Sequence, residues 1–169
     1  MNHREQLVFR NSAAGNQLIQ VLHEVVKIDC AAFGNIQVFN CELGGLEVIA
    51  QQGFKQEFLD LFKLVMPNDP SVCGRAYRLA NRITIPDLSN DRYFNPYLKM
   101  AQEVGFQAVQ STPVIDSRGC VIGMLSTHFP QAHYLTQTAE LSLNHYAGKV
   151  AKMLEDFFYL DVPASSLTA

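Results

Sequence analysis

Apolar positions recur at helical spacing near both ends of the chain and alternate with polar ones in between. From Ser12, a side chain suited to capping a helix N-terminus, Leu18, Val21, Leu22, Val25 and Ile28 fall on one helical face. FGNIQVFN (33–40) and LEVIAQQ (46–52) alternate around CELGG, where Gly44 and Gly45 accept positive φ, so the pattern predicts a hairpin. EFLDLF (57–62) and VCGRAYRLA (72–80) read as short helices separated by the breaker PNDP. ITIPD (83–87) is a brief strand ended by Pro86, and PYLKMAQEVG (96–105) is a helix with Pro near its start and Gly105 at its end. Residues 106–129 form a second hairpin about DSRG. Thr136 to Leu160 is a long helix striped by Ala139, Leu143, Tyr146, Val150, Leu154 and Phe157.

Two hairpins with helices before, between and after them give an α+β domain, an antiparallel sheet with helices packed on it. The expected organisation is a frayed extension over 1–11, one domain over 12–160 and a tail over 161–169. Leu141, Phe158 and Leu160 lie off the stripe of the last helix. A partner helix in a dimer accounts for them, and so does packing at the chain end.

The second hairpin contains an oddity. Gln110, Ser111, Ser126, Thr127 and His128 stand on its strands where a plain hairpin carries apolar residues. Either they face a pocket or they bond to neighbouring backbone.

Composition narrows the classes. With 48% hydrophobic and 17% charged residues the chain is built for a packed core. A net charge of −3 without a basic block argues against nucleic acid, and no apolar run reaches membrane-spanning length. The start MNHREQLVFRNSAAG has no apolar leader, so the cytoplasm is the expected location. Cys30, Cys41, Cys73 and Cys120 are far apart, with no CxxC and no His at ligand spacing, so they read as separate thiols, most of them small core residues. There is no nucleophile elbow, phosphate-binding loop or paired acid and base, and so no expected catalysis.

The ordered segments FGNIQVFN, GGLEVIAQQGF, SVCGRAYRLANRITIPDL and FQAVQSTPVIDSRGCVIGMLSTHF resemble a GAF domain, over roughly residues 12–158. The version they resemble most is that of bacterial sensor kinases and related two-component signalling proteins. The resemblance implies a sheet of about six strands, helices from both chain ends behind it, and a small-molecule pocket on the other face. It implies relay through the terminal helices of a homodimer to a kinase or other effector. The pocket wall would be 106–112 and 124–129, and its lid 86–98. The ligand-contacting residues this assigns are Phe106, Gln110, Ser111, Ser126 and His128 of the wall, Asp87, Phe94 and Tyr97 of the lid, and Cys73.

The resemblance also weighs the cofactors. No cysteine here precedes a His, which disfavours covalent bilin, and Thr127-His128 replaces the Asn-Lys of cyclic-nucleotide relatives. His128, His133 and His145 qualify as haem ligands only by residue type and read better as core or surface histidines. No cofactor is required. Some relatives reduce free methionine sulfoxide with lid cysteines, and this lid has none, so a thiol reductase using Cys73 with Cys120 or Cys30 is the alternative reading. Cys73 opens a helix near Arg75, a setting expected to lower its pKa and open to a sensing thiol, but a small residue buried against the sheet is the favoured reading. A third reading is a dimerisation module whose pocket is filled by Phe and Tyr.

Overall fold

In the computed structural model, which describes residues 2–159, the first turn of chain is already helical. Helix α1 (His3–Arg10) is closed by a capping box: Glu5 N–H donates to Asn2 Oδ1 at 2.9 Å and Asn2 N–H to Glu5 Oε2 at 2.7 Å. Phe9 is fully buried and meets Phe157 edge-on at 4.9 Å, with Phe158 at 5.5 Å. The expectation of a frayed extension over 1–11 is corrected by this. The cue was the capping sequence Asn2-x-x-Glu5 ahead of the consecutive apolar residues Leu7, Val8 and Phe9, of which only Phe9 is buried, so no helical periodicity registers. The proposed tail 161–169 and Leu160 lie outside the described residues.

Helix α2 (Ala13–Ile28) starts where the Ser12 hydroxyl accepts from Gly15 N–H at 3.1 Å. The first hairpin is β1 (Phe33–Asn40) with β2 (Gly45–Gln52), turned at Gly44 with φ +69°. Short helices α3 (Gln56–Leu61) and α4 (Val72–Leu79) precede β3 (Ile83–Ile85). Two 3-10 turns and α5 (Leu98–Val104) follow, stopped by Gly105 with φ +99°. The second hairpin, β4 (Ala108–Ile115) and β5 (Val121–Phe129), leads to α6 (Gln137–Tyr159). No helix among the described residues is long and apolar enough to cross a membrane.

The sheet order is β2-β1-β5-β4-β3 and every pairing is antiparallel. It has five strands among the described residues, against about six expected. Pairing β1 to β5 joins the two hairpins and places residues far apart in sequence in one flat face. Because side chains alternate across a strand, β1, β2, β4 and β5 each serve two cores. On one face Ile36, Val38, Val114 and Leu125 meet Leu18, Leu22 and Val25 of α2 and Leu143, Val150 and Leu154 of α6. Each such side chain, fully buried, stabilises the fold by roughly 1.5–3 kcal/mol. On the other face Phe54, Phe58, Phe62, Phe94 and Phe106 cover Met124 and Val109.

The off-stripe apolar residues of α6 divide. Phe158 packs on Phe9 within the same chain, so it needs no partner helix, while Leu141 is exposed.

Candidate ligand-binding site

The lid-side face of the sheet carries a polar patch in the middle of an aromatic core. Register explains its shape. Asn35 pairs with Ser126 and Ser126 with Ser111, so these three residues form one row across β1, β5 and β4. His128 lies two residues along β5 from Ser126, and Gln37 two residues along β1 from Asn35, so both share that face. Phe58 of α3 and Phe62 just after it, Val72 and Cys73 of α4, Phe94 of the lid and Phe106 close over them. What is left is a cavity of about 20 Å³. That is room for one or two waters, well below the several hundred Å³ of a ligand pocket. The closed lid therefore has to open to admit a ligand.

The polar atoms of this cavity are badly served. Asn35, Gln37 and His128 are 4%, 1% and 6% exposed. Asn35 Oδ1, both amide atoms of Gln37 and His128 Nδ1 have no hydrogen-bond partner. An unsatisfied buried group costs about 1–3 kcal/mol, and native cores hold few of them. Ser111 and Ser126 satisfy one another, with hydroxyls 2.8 Å apart. The His128 ring sits inside three phenyl rings, those of Phe106, Phe54 and Phe58, at 4.8, 4.9 and 5.9 Å and all edge-on. Burial there pushes its pKa down to about 3, so the imidazole is neutral at physiological pH.

Two polar clasps hold the lid. Arg75 of α4 donates through both Nη atoms to Asp91, at 2.6 and 3.2 Å. Burial works to raise the Asp91 pKa, but Arg75 and the N–H groups of Tyr93 and Phe94 outweigh it and hold the carboxyl below its usual range. Tyr97 donates its hydroxyl to Asp69 at 2.7 Å, and burial foremost pushes the phenol above its usual range.

Of the residues expected from the sequence, Cys73, Phe94, Phe106, Ser111, Ser126 and His128 line the cavity. The other three do not. Tyr97 lies behind the wall, tilted against Phe62 and Phe94. Asp87 faces solvent and caps its own 3-10 turn through Ser89. Gln110 is one residue out of phase and points to the helix face, where it belongs to a closed chain of bonds. Its Nε2 donates to Thr127 (3.0 Å) and its Oε1 accepts from Thr112 (2.7 Å). Thr127 donates to Asp29 (2.6 Å), and Arg82 Nε donates to Thr112 (2.8 Å).

Cys73 is a buried small residue, as favoured from the sequence, but its pKa does not fall as its place at a helix start implied. Burial, against the weaker help of the Ser71 hydroxyl, raises its thiol pKa, and Arg75 spends its charge on Asp91 instead. The expectation that most of the cysteines are core residues is corrected: Cys30, Cys41 and Cys120 are exposed, at a helix end and in the two hairpin turns. Among the described residues, no group of three His, Cys, Asp or Glu side chains could hold a metal.

Asn35, Gln37, Phe58 and Phe62 line the cavity but were missed in the sequence. The signal was present for the first two. In FGNIQVFN the alternation puts Asn35 and Gln37 with Phe33 and Phe39, the same mixture of polar and aromatic that marked the second hairpin.

The profile of the GAF domain family matches residues 13–154. No curated protein is detectably similar in sequence. Among solved structures, the GAF domain region of a Geobacter sulfurreducens PCA protein superposes with a TM-score of 0.75 at 15% identity, covering 88% of this chain and 97% of that one. A type II free methionine-R-sulfoxide reductase from Thermoplasma acidophilum gives 0.71 at 16%, covering 86% and 94%. Residues 122 to 287 of a methyl-accepting chemotaxis protein give 0.70 at 14%, covering 94% and 99%. At these identities the likenesses speak to the fold alone.

Proposed function

The chain belongs to the GAF domain family, and on that premise we propose that it is a sensory module which binds a small molecule in the cavity beneath its lid. The observation that carries this reading is the set of unpartnered polar atoms on Asn35, Gln37 and His128 in an aromatic enclosure. A structural core gains nothing from such atoms, whereas a binding site needs them.

Ligand entry displaces Phe94 and the Arg75–Asp91 clasp. The free energy of making the missing hydrogen bonds is then the differential affinity that shifts the population from closed to open-and-filled. Strands β4 and β5 carry the cavity on one face and pack against α6 with the other, so a change in their spacing bears on the end helix. Relay through α2 and α6, across a homodimer and on to a kinase or other effector, completes the reading. It fits the likeness to a chemotaxis protein.

The likeness to a sulfoxide reductase supports the thiol-reductase alternative less well. The cavity wall brings in Cys73 with its pKa raised, the opposite of what an attacking thiolate requires, and Cys30 and Cys120 lie in exposed turns.

Native mass spectrometry of the protein as purified, beside a denatured sample, tests the reading. A non-covalent mass lost on denaturation is expected. Identical bare masses, with no molecule in a metabolite extract shifting the melting temperature, would count against it.

A further inference from the structure

The cavity is polar without being charged. Its lining includes no Asp, Glu, Lys or Arg, and its one imidazole is held neutral by burial. The nearby Arg75 Nη atoms are occupied by Asp91. An ionised ligand group entering here would leave water for a site whose lining offers no counter-ion.

The free atoms also carry a shape. Gln37 presents an N–H donor and a carbonyl acceptor side by side, both unpartnered. That pair is the complement of another amide edge, a primary carboxamide or a lactam, which returns one donor and one acceptor in two parallel bonds. The row Asn35–Ser126–Ser111 spans three strands and extends the polar wall beside Gln37, its two hydroxyls bonded to one another. Phe58, Phe62, Phe94 and Phe106 supply ring surface opposite it.

We propose that the cavity selects an uncharged, flat molecule bearing a carboxamide or lactam edge, which pairs with the Gln37 amide, and that it rejects carboxylates, phosphates and ammonium groups. The proposal rests on the sensory reading and narrows it to a ligand class. It separates this chain from any relative that holds a zwitterion or a nucleotide, because those ligands require fixed charges that this wall lacks.

The test is a titration of the isotopically labelled full chain with benzamide, benzoate and benzamidinium, three molecules of one shape and three charges, followed by amide NMR into the tens of millimolar. Benzamide is expected to give saturable shifts at the Gln37 side-chain NH₂ and at Asn35, Ser111 and Ser126, and to bind at least tenfold tighter than either ion. Gln37→Leu, checked for folding by its own spectrum, is expected to lose that binding at least tenfold. Benzoate or benzamidinium binding as tightly at the same residues overturns the uncharged class and leaves the cavity a ligand site. Unchanged benzamide affinity in Gln37→Leu overturns the amide pairing. No saturable shift from any of the three overturns the class and the cavity reading together.

Discussion

On the face of the sheet that meets α6, Gln110, Thr112, Thr127 and Asp29 form a closed chain in which each buried polar group has a partner. On the opposite face, one residue away in the same strands, Ser111, Ser126 and His128 share a wall with Asn35 and Gln37, and half of the side-chain polar atoms there have no partner within the protein. Burial is the same on both sides and the residue types are similar. What differs is completion. A closed network fixes the position of one helix on one sheet and has nothing left to offer a ligand. An open one costs stability until something fills it. Buried polar residues in a sequence therefore indicate a site only when their bonding is incomplete, and that is decided by register across strands rather than by composition.

The comparison gives opposite signs for similar substitutions. The largest effect belongs to the closed face. Thr127→Val keeps shape but leaves Asp29 and Gln110 without their shared hydroxyl, and is expected to lower unfolding free energy by about 2–4 kcal/mol in urea titration.

Next is the pH response of the open face. His128 titrates near 6.5 when unfolded and near 3 when folded, so below pH 6.5 the unfolded state takes up a proton the folded state refuses. Its contribution to stability is complete above pH 6.5 and is lost as pH falls towards 3, by roughly 2–3 kcal/mol at pH 4.5. The gap in unfolding free energy between wild type and His128→Gln, measured at pH 7 and pH 4.5, should move by that amount.

Asp29 on the closed face gives the smaller and opposite trend. Burial raises its pKa despite the Thr127 bond, so it favours the folded state while protonated, and that contribution fades as pH rises through the raised value. Asp29→Asn keeps an acceptor for Thr127 and should remove that part of the pH dependence without weakening the fold at pH 7.

Much of this was legible in the sequence. Ser12 as a cap, Gly44 and Gly105 at their turns, and both hairpins follow from local chemistry that tertiary contacts did not override. The α+β class and the family followed from their order. Six of the cavity residues were legible too: Ser111, Ser126 and His128 because polar residues on an otherwise apolar strand stand out, and Cys73, Phe94 and Phe106 only through the resemblance to GAF domains. Gln110 was misplaced for the same reason: with Gln110 and Ser111 both polar, alternation allows either phase, and only pairing with Thr127 and Ser126 settles which faces the lid. Asn35 and Gln37 went unnoticed because β1 had to be laid beside β5, across about 90 residues of chain, before they joined Ser126 and His128. The fate of Cys73 was hidden for another reason. Adjacency to Arg75 in sequence says nothing of Asp91, which takes the guanidinium.

The most direct test of the contrast between the faces is the unfolding free energy of Gln37→Leu at pH 7. Leucine removes two buried, unpartnered atoms and keeps the volume. A rise of about 1–2 kcal/mol with an unchanged urea m-value is predicted, the gain of a site exchanged for a core. A fall of similar size would mean that the Gln37 amide is bonded and structural, and that the cavity is only a second closed network.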